Sequence, residues 1–266
     1  MKNYFLVLFI FVFFLFSCEK ELDFKYHEIE PQFVIEGTLS QEGVNVTLSL
    51  TTPMNEKIEP DYITDCEVTL IDEATQSQIK LEADLLGIYT SEYTAKTDSI
   101  YRLEVRQKGK EYISRCEMRP ATEISGLKFQ WIKMPYDYVA VLQIAFKDLE
   151  NQDDCYWIKI YRNDEPYKWI MSDDRGAVNG TITEVIMTSR MDLKEEDEKD
   201  ILRDGDEVKV VINAISREMY DYHIAIENDS NGPRMFDGDF CLGYFIASDS
   251  VSDTIIFHPD ELTHYE

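Results

Sequence analysis

Val44-Asn45-Val46-Thr47-Leu48-Ser49-Leu50 puts an apolar residue at every second position, with Asn, Thr and Ser between. That period matches a strand with one face in a core and the other in water, and it rules out a helix, whose apolar stripe repeats at 3.6. Upstream, Phe33-Val34-Ile35-Glu36-Gly37-Thr38-Leu39 reads as a further strand. Downstream, Cys66-Glu67-Val68-Thr69-Leu70-Ile71-Asp72 repeats the alternation and ends on a turn-forming Asp. Further runs at 78–83, 88–93, 100–107 and 111–118 bring the count to seven short strands separated by turn-rich linkers. Such a series predicts an antiparallel, Ig-like sandwich over residues 32–119, long enough to bury a core of its own.

Pro120 marks the expected boundary to a second, β-rich domain over 120–266. Its predicted strands are 127–131, 139–146, 156–161, 167–171, 181–187, 208–212, 243–247 and 254–257. Asp192–Glu207, with nine acids and three bases, reads as a solvated connection. One helix is expected near 216–228, with Ile215, Met219, Tyr222 and Ile226 on one face and Ser216 as its N-cap. Asn231-Gly232-Pro233 prevents its continuation. The expected class is therefore mainly β: two antiparallel sandwiches, the second with one amphipathic helix.

The amino terminus says where such a protein lives. Met1-Lys2-Asn3 precedes an apolar run from Tyr4 to Phe16, followed by Ser17-Cys18-Glu19-Lys20-Glu21. A basic start, a short apolar stretch and a small residue make a secretory signal over 1–17, too short to span a bilayer comfortably. Leu15-Phe16-Ser17-Cys18 resembles a bacterial lipobox, in which the cysteine carries diacylglycerol, although Phe16 is bulkier than usual there. Two or three acyl chains on Cys18 give stable anchorage where one does not. Residues 18–31 then form an acidic tether. Glu19, Lys20, Glu21 and Asp23 resemble the charged signal by which some Bacteroidota send lipoproteins to the cell surface. The expected location is the outer membrane, lipid-anchored and facing the exterior.

Charge narrows the partners. The formal net charge is −26, and loss of residues 1–17, charged only at Lys2, leaves −27. Nucleic-acid binding needs Lys and Arg patches that such a chain does not favour, and anionic head groups are repelled, so the membrane is reached through the lipid alone. With Cys18 lipidated, Cys66, Cys116, Cys155 and Cys241 remain, and four cysteines permit three pairings. Cys66 opens one strand-like run and Cys116 closes another in the same sandwich, which makes them the preferred disulfide. No CxxC spacing supports a zinc site.

Catalytic signatures are sparse. The four histidines, His27, His223, His258 and His264, form no HExxH, and neither GxSxG nor a P-loop occurs. With 52 acidic residues, close carboxylate pairs carry no information. No metal and no cofactor beyond the lipid is expected. Asp204-Gly205-Asp206-Glu207 and Asp237-Gly238-Asp239 offer oxygen ligands for calcium, but neither fits an EF-hand loop and Asp-Gly is first a tight-turn dipeptide. Tyr136 and Tyr138, beside Met134-Pro135, are the candidate ligand contacts, because exposed aromatic rings bind glycans or peptides at low entropic cost. Trp131, Trp157 and Trp169 are expected to pack inside.

The order of these motifs resembles an uncharacterised family of Bacteroidota outer-membrane lipoproteins, a domain of unknown function typically encoded beside TonB-dependent receptors. The resemblance runs through Ser17–Glu21, Phe33–Gly37, Cys66–Leu70, Gly87-Ile88-Tyr89, Tyr101–Val105, the Ser216–Ile226 helix, Asn231-Gly232-Pro233 and Gly243-Tyr244-Phe245. It implies a first sandwich similar to prealbumin-like domains and brings no catalytic residues. The expectation that follows is a non-catalytic accessory or ligand-capturing partner of a TonB-dependent transporter. A structural or adhesive envelope lipoprotein is the alternative.

Overall fold

The alternation of Val44, Val46 and Leu48 is inward, though at the strand's end Ser49 is buried and Leu50 half-buried. In a computed structural model of the chain, Val44, Val46 and Leu48 are buried while Asn45 is exposed and Thr47 half-buried. The structure describes residues 30–52, 61–84, 86–135, 138–149, 153–190 and 201–265. Cys18, Glu19, Lys20, Glu21, Asp23 and Tyr136 lie outside the described residues, as does most of the acidic connection after Arg190. The chain divides near Glu30, and everything below concerns the compact unit from Pro31 onward.

In chain order the strands begin with β1 (Phe33–Ser40), β2 (Gly43–Leu50), β3 (Asp61–Tyr62), β4 (Glu67–Asp72), β5 (Gln78–Ala83) and β6 (Ile88–Ser91). β7 (Ile100–Gln107), β8 (Lys110–Glu117), β9 (Ile124–Lys133) and β10 (Tyr138–Lys147) follow. Next come β11 (Cys155–Arg162), β12 (Glu165–Asp173), β13 (Thr181–Arg190) and β14 (Glu207–Ile215), and then helix α1 (Arg217–Glu227). The chain closes with β15 (Asp237–Gly238), β16 (Leu242–Ala247), β17 (Ser250–Ile256) and β18 (His264–Tyr265). The fold is mainly β and built as sandwiches. Every expected strand forms, within a few residues of its predicted bounds.

The first sandwich is one curled sheet in the order β15-β8-β7-β4-β5-β6-β2-β1-β16, with β3 added to β2. Its two halves face each other across a core that joins Ile35, Leu39, Val46 and Leu48 to Val68, Leu70, Leu103 and Val105. Each such side chain removed from water contributes about 1.5–3 kcal/mol.

The expected boundary at Pro120 does not end this sandwich. Residues beyond α1 return to it: β15 pairs with β8, and β16 pairs in parallel with β1. Phe236, Phe245 and Ala247 enter its core. This strap spans the two open edges of the curled sheet and satisfies backbone groups that an edge leaves bare. Its fit depends on one glycine. Gly243, at φ +101°, lies against β1 so closely that a Cβ would stand 2.0 Å from the Ile35 carbonyl oxygen.

The predicted Cys66–Cys116 disulfide is not formed, and the four described cysteines are free thiols. The register explains why. Cys66 precedes Glu67, which pairs with Arg106, whereas Cys116 pairs with Tyr101, the residue opposite Asp72. The two thiols therefore sit at opposite ends of strands separated by β7, about 20 Å apart along the strand direction. A disulfide tolerates a Cα separation of about 7 Å at most. The Cys116 thiol instead accepts the Ala247 amide of the strap at 3.3 Å.

The second sandwich stacks β13-β10-β9-β18 on β12-β11-β14-β17. Phe129, Trp131, Leu142, Ile144, Ile158 and Phe257 are among the residues that fill it. Arg119, in the linker between the sandwiches, ties both sides. Its amide donates to the Ala247 carbonyl, and its guanidinium reaches the buried Asp154 carboxylate at 3.2 Å.

Candidate functional site

Helix α1 begins as expected: the Ser216 hydroxyl accepts the Met219 amide, satisfying one donor that a helix start leaves free. Its buried face differs from the predicted stripe. Met219, His223 and Ala225 are buried, and Ile226 is 50% exposed. The helix is turned so that a histidine, and not an isoleucine, meets the sheet beneath. That sheet face belongs to β11, β12 and β14, where Tyr156, Ile158 and Ile160 point into the sandwich core and Trp157, Lys159 and Tyr161 point out.

His223 is 7% exposed and ringed by aromatic side chains. Its ring centre lies 4.6 Å from that of Trp157, 5.1 Å from Trp169, 5.8 Å from Tyr222 and 6.0 Å from Tyr244. Among the described residues neither ring nitrogen has a partner; the same holds for Trp157 Nε1 and for Oδ1 of Asn213, the residue opposite Trp157 on β14. A buried polar group left unpaired costs about 1–3 kcal/mol, so such groups are rarely kept without a reason. Burial, with the Lys159 charge adding to it, pushes the His223 pKa down to about 4, leaving the imidazole neutral at pH 7.

Beside this cage a cleft of about 230 Å³ opens on the sheet face. It is lined from β11 by Trp157, Lys159 and Tyr161 and from β12 by Pro166, Tyr167 and Trp169. The Lys159 ammonium sits 4.6 Å from the centre of the Trp157 ring. Among the described residues it has no acidic partner, and burial alone lowers its pKa. Trp169 is 37% exposed at the mouth. Lys168 and Tyr167 are tied at the side: the ammonium donates to the Met187 carbonyl at 2.7 Å and the phenol to the Thr188 carbonyl at 2.9 Å.

The other candidate residues serve the scaffold. Tyr138 opens β10 half-buried, packed on the second core with its ring edge toward His264 at 5.1 Å, so it does not form an open contact surface. His264 also stacks on Trp131. His258 holds Asp204 at 2.8 Å, and the hydrogen bond raises its pKa. Asp204-Gly205 forms a turn, with Gly205 at φ +86°, whereas Asp237-Gly238 is strand β15, with Gly238 at φ +89°. Asp206 bonds the Arg203 amide, Asn163 and Arg162; burial opposes its ionisation, but these partners hold its pKa below the usual carboxylate value. Asp239 accepts the Glu111 amide, and Asp237 lies 3.6 Å from Arg115. No group of three or more His, Cys, Asp or Glu side chains that could hold a metal ion occurs among the described residues.

Of the three tryptophans only Trp131 is a core residue; Trp157 is half-buried and Trp169 opens to solvent. The cleft was nevertheless written in the sequence. Along 156–161 the inward face carries Tyr156, Ile158 and Ile160, and the outward one sets Trp157 and Tyr161 on either side of Lys159, more aromatic surface than a solvated face requires.

No curated protein matches this sequence. Among solved structures, the chain is similar to a two-domain fibronectin type-III segment of chicken tenascin, with 9% identity over 86% of this chain and all of that one, at a TM-score of 0.25. It is also similar to a chain of a cytokine receptor complex, with 11% identity over 70% of this chain and 92% of that one, at a TM-score of 0.28. Neither likeness bears on activity or partner. The model of a domain of unknown function, DUF4249, matches residues 19–253, nearly the whole described fold, and the chain belongs to that family.

Proposed function

We propose that this chain is a lipid-anchored, non-catalytic binding protein that acts as a ligand-capturing accessory of an outer-membrane TonB-dependent transporter. The observation that carries the binding role is the cleft on β11 and β12, which combines the indole rings of Trp157 and Trp169 with a lysine that has no acidic partner among the described residues. Flat rings supply large contact area at little entropic cost, and a single cation selects the orientation of what binds. The anchoring role is supported by Ser17-Cys18-Glu19-Lys20-Glu21. A tether of some dozen residues holds the sandwiches near a membrane partner at an effective concentration on the order of millimolar, so a weak contact suffices.

Purification of tagged full-length protein from its native outer membrane in mild detergent, with mass spectrometry, tests the reading. Stoichiometric recovery of a TonB-dependent barrel is the expected result. Recovery of the lipoprotein alone, also after chemical crosslinking of intact cells, sinks the transporter role. The adhesive alternative is favoured by Val185 and Met187 on β13, both more than half exposed. It predicts that deleting the gene reduces cell attachment without changing uptake.

A further inference from the structure

We propose that the β11–β12 cleft binds one carboxylated sugar ring, the uronic acid residue of an acidic glycan. Size sets the first limit. A volume of about 230 Å³ falls below the 300–1,000 Å³ usual for drug-sized ligands and holds a single substituted ring. The walls set the second: Trp169, open to solvent at the mouth, offers a flat apolar face on which the C–H face of a pyranose can lie, while Trp157 lines the cleft with its ring packed against Lys159 and His223. Charge sets the third. Acidic residues outnumber basic ones 52 to 26, yet Lys159 stands without an acidic partner among the described residues. A half-buried ammonium left unpaired in so acidic a chain is available to a ligand carboxylate, and a charge-assisted hydrogen bond is about twice as strong as a neutral one.

Hydroxyls distinguish a sugar from other carboxylated rings. Behind the aromatic wall lie Trp157 Nε1, a donor, both His223 nitrogens, one donor and one acceptor when neutral, and Asn213 Oδ1, an acceptor, all without protein partners. Ring hydroxyls reach these groups only if Trp169, the outer ring packed on His223, gives way. An aromatic acid brings the flat face and the carboxylate but no hydroxyls, and so gains nothing there.

The inference deepens the binding role proposed above and is independent of any transporter, because it is read from binding alone. The probes are digalacturonate, its neutral counterpart digalactose, and benzoate, titrated into full-length protein in detergent while tryptophan fluorescence is followed. Digalacturonate should bind saturably, and digalactose about tenfold more weakly. Lys159→Gln should bring the two to the same affinity, and Trp169→Ala should abolish binding by both, with thermal unfolding unchanged in either variant. Benzoate should give no saturable response. The assignment is overturned by any of three results: no saturable binding of digalacturonate, equal binding of digalactose by wild type, or benzoate binding as tightly. Loss of a co-purifying barrel alongside intact uronate binding would remove the transporter and leave the site.

Discussion

The first sandwich and the outer face of the second differ in how completely they satisfy their own polar groups. On the first, Arg102, Arg106 and Arg115 interleave with Glu73, Glu104 and Glu111 in a ladder of ion pairs across β7 and β8, and the strap covers both sheet edges. On the second, at α1, lie four of the five buried polar side-chain atoms that lack a hydrogen-bond partner among the described residues, the fifth being Arg102 Nε of the ladder. Beside them Lys159 has no acidic partner among the described residues. Neighbouring surfaces of one chain thus follow opposite rules. A surface that satisfies itself serves stability, whereas one that carries unpaired donors and an unpaired cation has spent stability for something else.

Four experiments break or sharpen that contrast. The largest effect belongs to the strap. Gly243→Ala drives a methyl into the Ile35 carbonyl and should destabilise the protein by more than about 4 kcal/mol, read as the urea midpoint. A change below about 1 kcal/mol would show that β16 is an ornament and not the closure of the first sheet.

His223 comes next. Its folded pKa of about 4 lies below the ordinary histidine value of 6.5, so between those values the unfolded chain binds the extra proton. Stability conferred by the neutral, buried imidazole is therefore whole above pH 6.5 and falls as pH drops toward 4, by on the order of 3 kcal/mol. Asp72, Asp173 and Asp206, whose pKa values are lowered, lose their contributions largely below that window. Urea midpoints at pH 7 and 4.5 should differ in the wild type and converge in His223→Phe. An unchanged pH slope in that variant would place the titration elsewhere.

A smaller loss, about 1 kcal/mol, is expected for Ser216→Ala, since the helix start loses its one side-chain acceptor. The measure that matters there is ligand affinity: if α1 only roofs the cage, binding at the cleft should survive the loss. The smallest effect is none. With Cys66 and Cys116 free and distant, adding a reductant should leave the melting temperature where it was; a drop of several degrees would mean that a disulfide exists after all.

Most strands could be read from period-two alternation, because in a sheet with one wet face each residue declares its side. Gln78–Ala83 and Ile100–Gln107 fall where that pattern puts them. The short strands β3, β15 and β18, of two residues each, had no period to show. The helix was visible through Ser216 and its apolar spacing, yet its rotation was not. Ile226 looked inward by hydrophobicity, but the aromatic bed of Trp157, Trp169 and Tyr244 accommodates a flat ring, and His223 took the place. Tyr138 lies near a turn, which suggests an open ring, but His264, arriving on β18 beside β9, packs against it.

By itself, the sequence determined the elements and the β class, since strand periodicity, turn residues and helix caps are local properties of neighbouring side chains. Only the tertiary structure decided which distant segments close the first sheet, which cysteines can meet, and which polar atoms are left without partners. Pairing between β1 and β16, or the stacking of His223 on Trp157, joins residues far apart in the chain. Nothing in either partner's local pattern records the other, because burial and hydrogen-bond satisfaction belong to the packed whole.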